Sequence, residues 1–311
     1  MTVEVESSLA KLNLATEVAD SKTVDHRPLI SDLLKKHADK IEEVRNIIKE
    51  ESLYNKDDNA KRYDDIWILR FVLSHKKNVK SAAKAAIKTM QYREEWKLNE
   101  MGDIRHKFPS QTAGDDQWPF TAAFNKNCAT DDCMLHTQPD DNRGVITYIR
   151  LQDMNQQGLY ESTTIEDMKQ TYIYLNECIF QVHDAVTRKT GRLTKHLRIV
   201  DMGNVGFRDM HMKYLKRDGE ASKYTEDFYP QALGAIVAVN APVWVSGIWK
   251  IARPFFPSRF AEKVNISGSK ISSKDTEFFL KFISKENLPV SLGGSNEEWP
   301  IEDVATKYSK K

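Results

Sequence analysis

The stretch FYPQALGAIVAVNAPVWVSGIWKIARPFF, residues 228–256, decides how this chain folds. Residues 228–249 carry no charge, but Pro230 and Pro242 would each interrupt the backbone hydrogen bonds of a membrane-spanning helix. The run AIVAV, residues 235–239, is apolar at every position, which is typical of a central parallel strand covered on both faces. We therefore predict a buried strand, a proline turn and a new helix.

The helix after this turn has one apolar stripe and ends at two prolines. Lys250 and Arg253 lie off the stripe, and Pro254 and Pro257 end the helix beside Phe255. Such a helix is either part of an ordinary core or a lid that covers an apolar cavity. The stripe consists of Val245, Ile248, Trp249, Ala252 and Phe256.

The sequence predicts that strands and helices alternate on both sides of residues 228–256. We predict strands at Val145–Leu151, Leu197–Met202 and Val264–Ile266, with helices between them. Thr163 and Glu166 have the spacing of a capping box at the start of the most regular helix. This alternation predicts an α/β fold with a mostly parallel sheet. The apolar stripe of that helix is Ile165, Met168, Tyr172, Leu175, Ile179, Val182 and Val186.

The part of the chain before residue 100 has helical periodicity only. Residues 1–30 form a polar tail, and from Ser31 onward Leu34, Ile41, Val44 and Ile48 share one helix face. Asn78 is predicted to cap a further helix. The opposite face of that helix carries lysines, which indicate either a solvated side or a strip that attracts membranes. These lysines are Lys80, Lys84 and Lys88.

Composition and motifs exclude several classes of protein. The 46 basic and 45 acidic residues give a net charge of +1, which argues against nucleic-acid binding. No nucleophile elbow, P-loop or dinucleotide-binding glycine pattern is present, and we expect neither an enzyme nor a cofactor. Cys128, Cys133 and His136 lack a fourth ligand for zinc. Three cysteines and the absence of a secretory signal favour the cytoplasm.

Five stretches together resemble the CRAL-TRIO family of lipid-binding and lipid-transfer proteins. They are ILRFVLSHKKNVKSAAKAAIKTMQYREEW, DNRGVITYIRL, LRIVDMGNVG, FYPQALGAIVAVNAPVWVSGIWKIARPFF and ENLPVSLGG, in the family's order over about residues 65–295. The resemblance implies a small all-helical N-terminal unit followed by a lipid-binding domain. In that domain a mostly parallel sheet floors an apolar cavity, and a gate helix, here about Val243 to Pro254, closes it.

The final ENLPVSLGG is closest to the branch that exchanges phosphatidylinositol and phosphatidylcholine. Two tyrosines that this branch uses near the choline head group are matched by Tyr148 and Tyr174. Its serine and threonine on the strand before the aspartate are replaced here by His196 and Arg198. The resemblance makes these four residues candidates for contact with a lipid head group.

The branch's inositol contacts are altered in this chain. Its glutamate after Tyr-Pro is Gln231, which lacks the carboxylate that accepts hydrogen bonds from inositol hydroxyls, and its lysine before Pro-Phe is Arg253. An arginine can still bind a phosphate. The cavity and gate residues that we predict are Ile199, Val237, Val239, Val245, Ile248, Trp249, Ala252, Phe255 and Phe256.

The resemblance implies a carrier that takes a single lipid out of a membrane. The leading candidates for this lipid are phosphatidylinositol and phosphatidylcholine. Alternatives are a carrier of a neutral isoprenoid, sterol, tocopherol or carotenoid, and a sensor that presents lipid to a lipid-modifying enzyme. Partners are then the lipid, a transient membrane surface and that enzyme, with the protein in the cytoplasm and peripheral at endomembranes. We expect a tail (1–30), the helical unit (31–108), the lipid-binding domain (109–300) and a C-terminal tail (301–311).

Overall fold

The computed structural model describes residues 25–56, 58–105, 123, 127, 134–137, 143–144 and 146–297. The helices are α1 Ile30–Lys36, α2 Ala38–Ile48, α3 Asn59–Arg62, α4 Asp65–Ser74, α5 Val79–Glu95, α6 Gln156–Ser162, α7 Ile165–Thr190, α8 Met212–Ala221, α9 Lys223–Phe228, α10 Val245–Ala252, α11 Ser258–Ala261 and α12 Ser273–Phe279. The strands are β1 Met134–Thr137, β2 Ile146–Arg150, β3 His196–Asp201, β4 Leu233–Val239 and β5 Val264–Ile266.

The helices predicted from Ser31 to residue 100 are present and share one core. Asn78 caps α5, because its side-chain oxygen accepts a hydrogen bond from the backbone N–H of Ser81 at 2.9 Å. The three lysines on the outer face of α5 are exposed. Core members from α2, α4 and α5 include Ile41, Val44, Ile48, Phe71, Ala82, Ala86 and Met90.

A five-stranded sheet in the order β1-β2-β3-β4-β5 forms the second part of the structure. β1 runs antiparallel to β2, and the other three pairs are parallel. Helices lie between the successive parallel strands, as the alternation in the sequence predicted. The predicted α/β fold with a mostly parallel sheet is therefore confirmed. The segment 228–249 forms a strand, a turn and a helix, and within the described ranges no helix could cross a membrane.

Helix α7 begins one residue later than its predicted cap. Thr164 is the N-cap, and its side chain and that of Asp167 form the capping box. The predicted pair of Thr163 and Glu166 is wrong, because the Thr163 hydroxyl donates to the carbonyl oxygen of Leu159 at the end of α6. The sequence alone does not decide which threonine is the N-cap, because Thr163 and Thr164 are each followed by an acidic residue three positions later.

The two faces of the sheet are covered by different parts of the chain. One face packs against α12 and the segment that follows it, with Ile199 and Val237 beside Phe279 and Leu288. The segment ends in a tight turn at Gly293 and Gly294. A side chain at Gly294 would come within 1.9 Å of the carbonyl oxygen of Leu288, so only glycine fits there.

A buried ion pair joins the N-terminal helices to the sheet-containing part. Arg93 of α5 donates to both carboxylate oxygens of Glu177 in α7, at 2.8 and 3.0 Å. Glu177 also accepts a hydrogen bond from the Tyr229 hydroxyl, and Arg93 donates from Nε to Asn99. These contacts hold α5, α7 and the segment around Tyr229 together.

Candidate functional site

An apolar cavity of about 210 Å³ lies between the sheet and α10. Its floor is the face of the sheet opposite to α12, and α7 and α8 form further walls. Its apolar lining is Ile149, Leu151, Met154, Leu175, Val200, Met202, Met210, Leu215, Ile236, Ala238, Val245, Ile248, Trp249, Ala252, Phe256, Phe260, Val264 and Ile266.

The gate helix observed in the structure is α10, and all five residues of its predicted stripe line the cavity. The rings of Trp249 and Phe256 lie 5.6 Å apart, and Phe256 stacks on Phe260 at 5.2 Å. A short 3-10 turn at Arg253–Phe255 follows the helix. Phe255 does not line the cavity; it packs against Gly219 of α8, where a side chain would approach the Phe255 carbonyl oxygen within 2.8 Å.

The gate helix is held mainly by this packing. It has eight residues, and no side chain caps its N-terminus at Trp244. Helices of this length are marginal by themselves, so the apolar contacts across the cavity keep it closed. A short, uncapped helix over a cavity is suited to moving as a lid.

The structure places the predicted strand residues of the cavity on the wrong face of the sheet. Ile199, Val237 and Val239 lie in the core beneath α12, whereas Val200 and Ala238 face the cavity. Adjacent residues of a strand point to opposite faces, and a run that is apolar at every position does not show which face is which.

Three candidate head-group residues also lie outside the cavity. Tyr148 donates its hydroxyl hydrogen bond to Asp201, on the face that packs against α12. Tyr174 is buried among apolar side chains of α7 such as Ile179. The Nε2 atom of His196 lies 2.8 Å from the Thr147 hydroxyl, beneath α7.

Gln231 and Arg253 also lie outside the cavity. Gln231 donates from Nε2 to the Ser74 hydroxyl of α4 at 2.9 Å, with its backbone in the left-handed region. Arg253 is exposed at the end of the gate helix. Of the six candidate head-group residues, Arg198 alone lines the cavity.

Arg198 is part of a polar cluster in the cavity wall that the sequence did not predict. The Tyr172 hydroxyl donates to the carboxylate of Asp218, which joins α7 to α8. Burial and the neighbouring Asp218 raise the pKa of Tyr172 well above its ordinary value, so the hydroxyl remains a donor. Burial also raises the pKa of Asp218, against the opposing effects of the Tyr172 hydrogen bond and the Arg198 charge.

The raised pKa of Asp218 leads to a prediction on stability. A carboxyl group whose pKa is raised on folding stabilises the folded state below its unfolded pKa, and loses that contribution as the pH rises through the folded pKa. We expect Asp218→Asn to unfold at a higher temperature than the parent at pH 7, because the amide oxygen can still accept from Tyr172. Thermal unfolding from pH 4 to pH 8 should show this difference growing with pH; a constant difference would contradict a buried ionised carboxylate.

The described residues offer no metal centre. No group of three or more histidine, cysteine, aspartate or glutamate side chains within them is arranged to hold a metal ion. Cys128, Cys133 and the side chain of His136, which the sequence singled out, lie outside the described part of the chain.

The chain is similar in sequence to a known family and similar in fold to a solved structure. A family model described as "CRAL/TRIO domain" matches residues 130–294. The chain is 27% identical to the Sec14 cytosolic factor of Schizosaccharomyces pombe over 238 residues, 76% of each chain. It is 28% identical to the SEC14 cytosolic factor of Eremothecium gossypii over 269 residues, 85% of this chain and 78% of that protein. The crystal structure of Sfh5 aligns with a TM-score of 0.53 at 13% identity, over 90% of this chain and 96% of that one.

Proposed function

The chain belongs to the CRAL/TRIO domain family, and we propose that it carries one lipid at a time in the cavity beneath its gate helix. The family match and the relatives confirm the resemblance predicted from the sequence and, with it, the class of lipid-binding and lipid-transfer proteins. Phosphatidylinositol and phosphatidylcholine remain the first ligands to test. We propose a carrier rather than an enzyme.

The observation that carries this proposal is the apolar cavity with the five gate residues in its wall. A lipid with some thirty tail methylenes gains on the order of 20 kcal/mol by leaving water, at ~0.8 kcal/mol each. Such a ligand must therefore be exchanged while the protein touches a membrane. At about 210 Å³ the cavity is below the size of sites that bury small ligands, so lipid uptake requires the gate helix to move outward.

The outer side of the gate helix is suited to meet a membrane. Val243 is 97% exposed, Ile251 60% and Phe207 61%, and the Phe207 ring meets Trp244 edge to face at 5.8 Å. An apolar patch of this kind is typical of an interaction surface. Arg253 is exposed two positions after Ile251 in the chain and does not line the cavity, so we propose that it contacts head groups of an anionic bilayer and not the lipid inside the cavity.

A charge in this patch should weaken docking. We expect Val243→Asp to reduce binding to anionic vesicles about tenfold or more, because the carboxylate would have to lose water at the membrane interface. Sedimentation with vesicles measures the effect. Ile47→Asp is the control, since Ile47 is 38% exposed and lies beside the lysine face of α5. If Ile47→Asp weakens binding and Val243→Asp does not, the lysine face docks instead.

The proposal extends to where the protein works and with what. We propose that it is cytosolic, associates transiently with endomembranes and delivers lipid to a membrane or a lipid-modifying enzyme. Transfer of labelled phosphatidylcholine or phosphatidylinositol between two vesicle populations, without any other protein, tests the carrier function directly. A rate no higher than spontaneous exchange for both lipids would contradict it.

A further inference from the structure

One guanidinium group, that of Arg198, lies in the largely apolar wall of the cavity. Arg198 lies in the middle of β3, between Thr147 of β2 and Ile236 of β4, and Ile236 lines the same cavity. Within the described residues it forms no salt bridge, and its Nε is a buried donor without an acceptor. A buried charge is costly unless it is paired and hydrogen-bonded. An anionic acceptor beside Arg198 would therefore stabilise this side chain.

The acidic residue of the cavity lining, Asp218, does not fill that role. Asp218 attracts Arg198 across the cavity but is not within salt-bridge distance of it, and its carboxylate already accepts a hydrogen bond from Tyr172. The cavity wall therefore presents a cationic donor and, facing it, a carboxyl group. A ligand group placed between them would meet both.

We propose that Arg198, with Asp218 and Tyr172 opposite it, binds the polar end of the carried lipid and selects a compact oxyanion, either a phosphate monoester or a carboxylate. This inference rests on the proposed function and specifies the lipid class. An arginine presents a planar fork of donors that matches the oxygens of either anion. Arg198 places a positive charge in the cavity wall, so the preference for an anion follows from this chain's own side chain.

The carboxyl group of Asp218 is compatible with an anion close to it. Its pKa is raised by burial, and an anion held by Arg198 would raise it further. Both effects favour the protonated form of the carboxyl group, which can donate a hydrogen bond to the ligand. The charged and titratable groups that line the cavity around it are Arg198 on β3, Tyr172 on α7 and Tyr214 on its own helix, and burial raises the pKa of Tyr172 well above its ordinary value.

The experiment compares lipids that differ only in the head. Phosphatidylcholine vesicles contain a minor fraction of phosphatidic acid or of diacylglycerol with the same chains; a second pair contains oleate or oleyl alcohol. The full-length protein is incubated with each, separated from the vesicles, and its bound lipid is identified by mass spectrometry. Arg198→Gln removes the charge, Arg198→Lys keeps it, and Arg62→Gln is an exposed arginine outside the cavity with the same change in net charge.

We expect the parent and Arg62→Gln to take up phosphatidic acid, oleate or both in preference to the neutral partner. Arg198→Gln should lower that preference about tenfold or more, and Arg198→Lys should retain part of it. Preference for one acid alone supports the inference and identifies phosphate or carboxylate as the source. Equal uptake of acid and neutral partner by the parent, or an unchanged preference in Arg198→Gln, would overturn it. In both of those cases continued uptake of phosphatidylcholine leaves the carrier function standing, whereas a parent that takes up no lipid contradicts the carrier function itself.

Discussion

Trp249→Asp is expected to reduce lipid transfer between vesicles by more than about tenfold while the protein stays folded. The Trp249 side chain is half-buried, lines the cavity and packs on Phe256. A carboxylate at this position must be desolvated whenever the gate helix closes over a lipid tail, at a cost of several kcal/mol. Because the gate helix contributes little to the cores of the N-terminal helices and of the α12 face, the rest of the fold should tolerate the change.

The control for Trp249→Asp lies on the other side of the sheet. Ser273 is exposed at the start of α12, so Ser273→Asp adds the same charge away from both the cavity and the outer side of the gate helix. Uptake of lipid from phosphatidylcholine vesicles should be lost in Trp249→Asp and kept in Ser273→Asp, with similar thermal unfolding for both variants. Parental transfer rates for Trp249→Asp would show that the helix does not act as a lid.

The elements of the fold could be predicted from the sequence because their signals are local. The gate helix is an example, since its apolar residues recur every three or four positions and Pro254 ends it. The face of each strand could not be predicted in the same way. β4 is covered by α12 and its following segment on one side and by the cavity on the other, so its sequence does not alternate.

Arg198 contained a signal that could have corrected the strand assignment. In LRIVDM, residues 197–202, Arg198 and Val200 lie on one face of the strand, and Leu197 and Ile199 lie on the other. A charged residue in a buried strand marks the face that meets a ligand or solvent, and that face is the cavity. The pairing of Tyr172 with Asp218 had no such signal, because it depends on how α7 packs on α8.

The largest expected change in stability concerns the buried ion pair between α5 and α7. Arg93 is 7% and Glu177 1% exposed, and the two side chains share two hydrogen bonds. Although burial alone lowers the pKa of Arg93, the attraction and hydrogen bonds of Glu177 outweigh it and raise that pKa, so the guanidinium stays charged. Removing one partner leaves a buried charge, and we expect Arg93→Met to lower the free energy of unfolding by about 3–5 kcal/mol.

Two further variants separate the ion pair from the loss of a large side chain. The double variant Arg93→Met with Glu177→Leu removes both charges, and should recover much of the loss because an apolar pair of similar volume can replace a buried ion pair. Lys61→Met breaks the exposed pair with Asp58 and should leave urea unfolding unchanged. If the double variant is less stable than Arg93→Met, the hydrogen bonds that Tyr229 and Asn99 make to this pair hold α5 on α7, and the charges themselves do not.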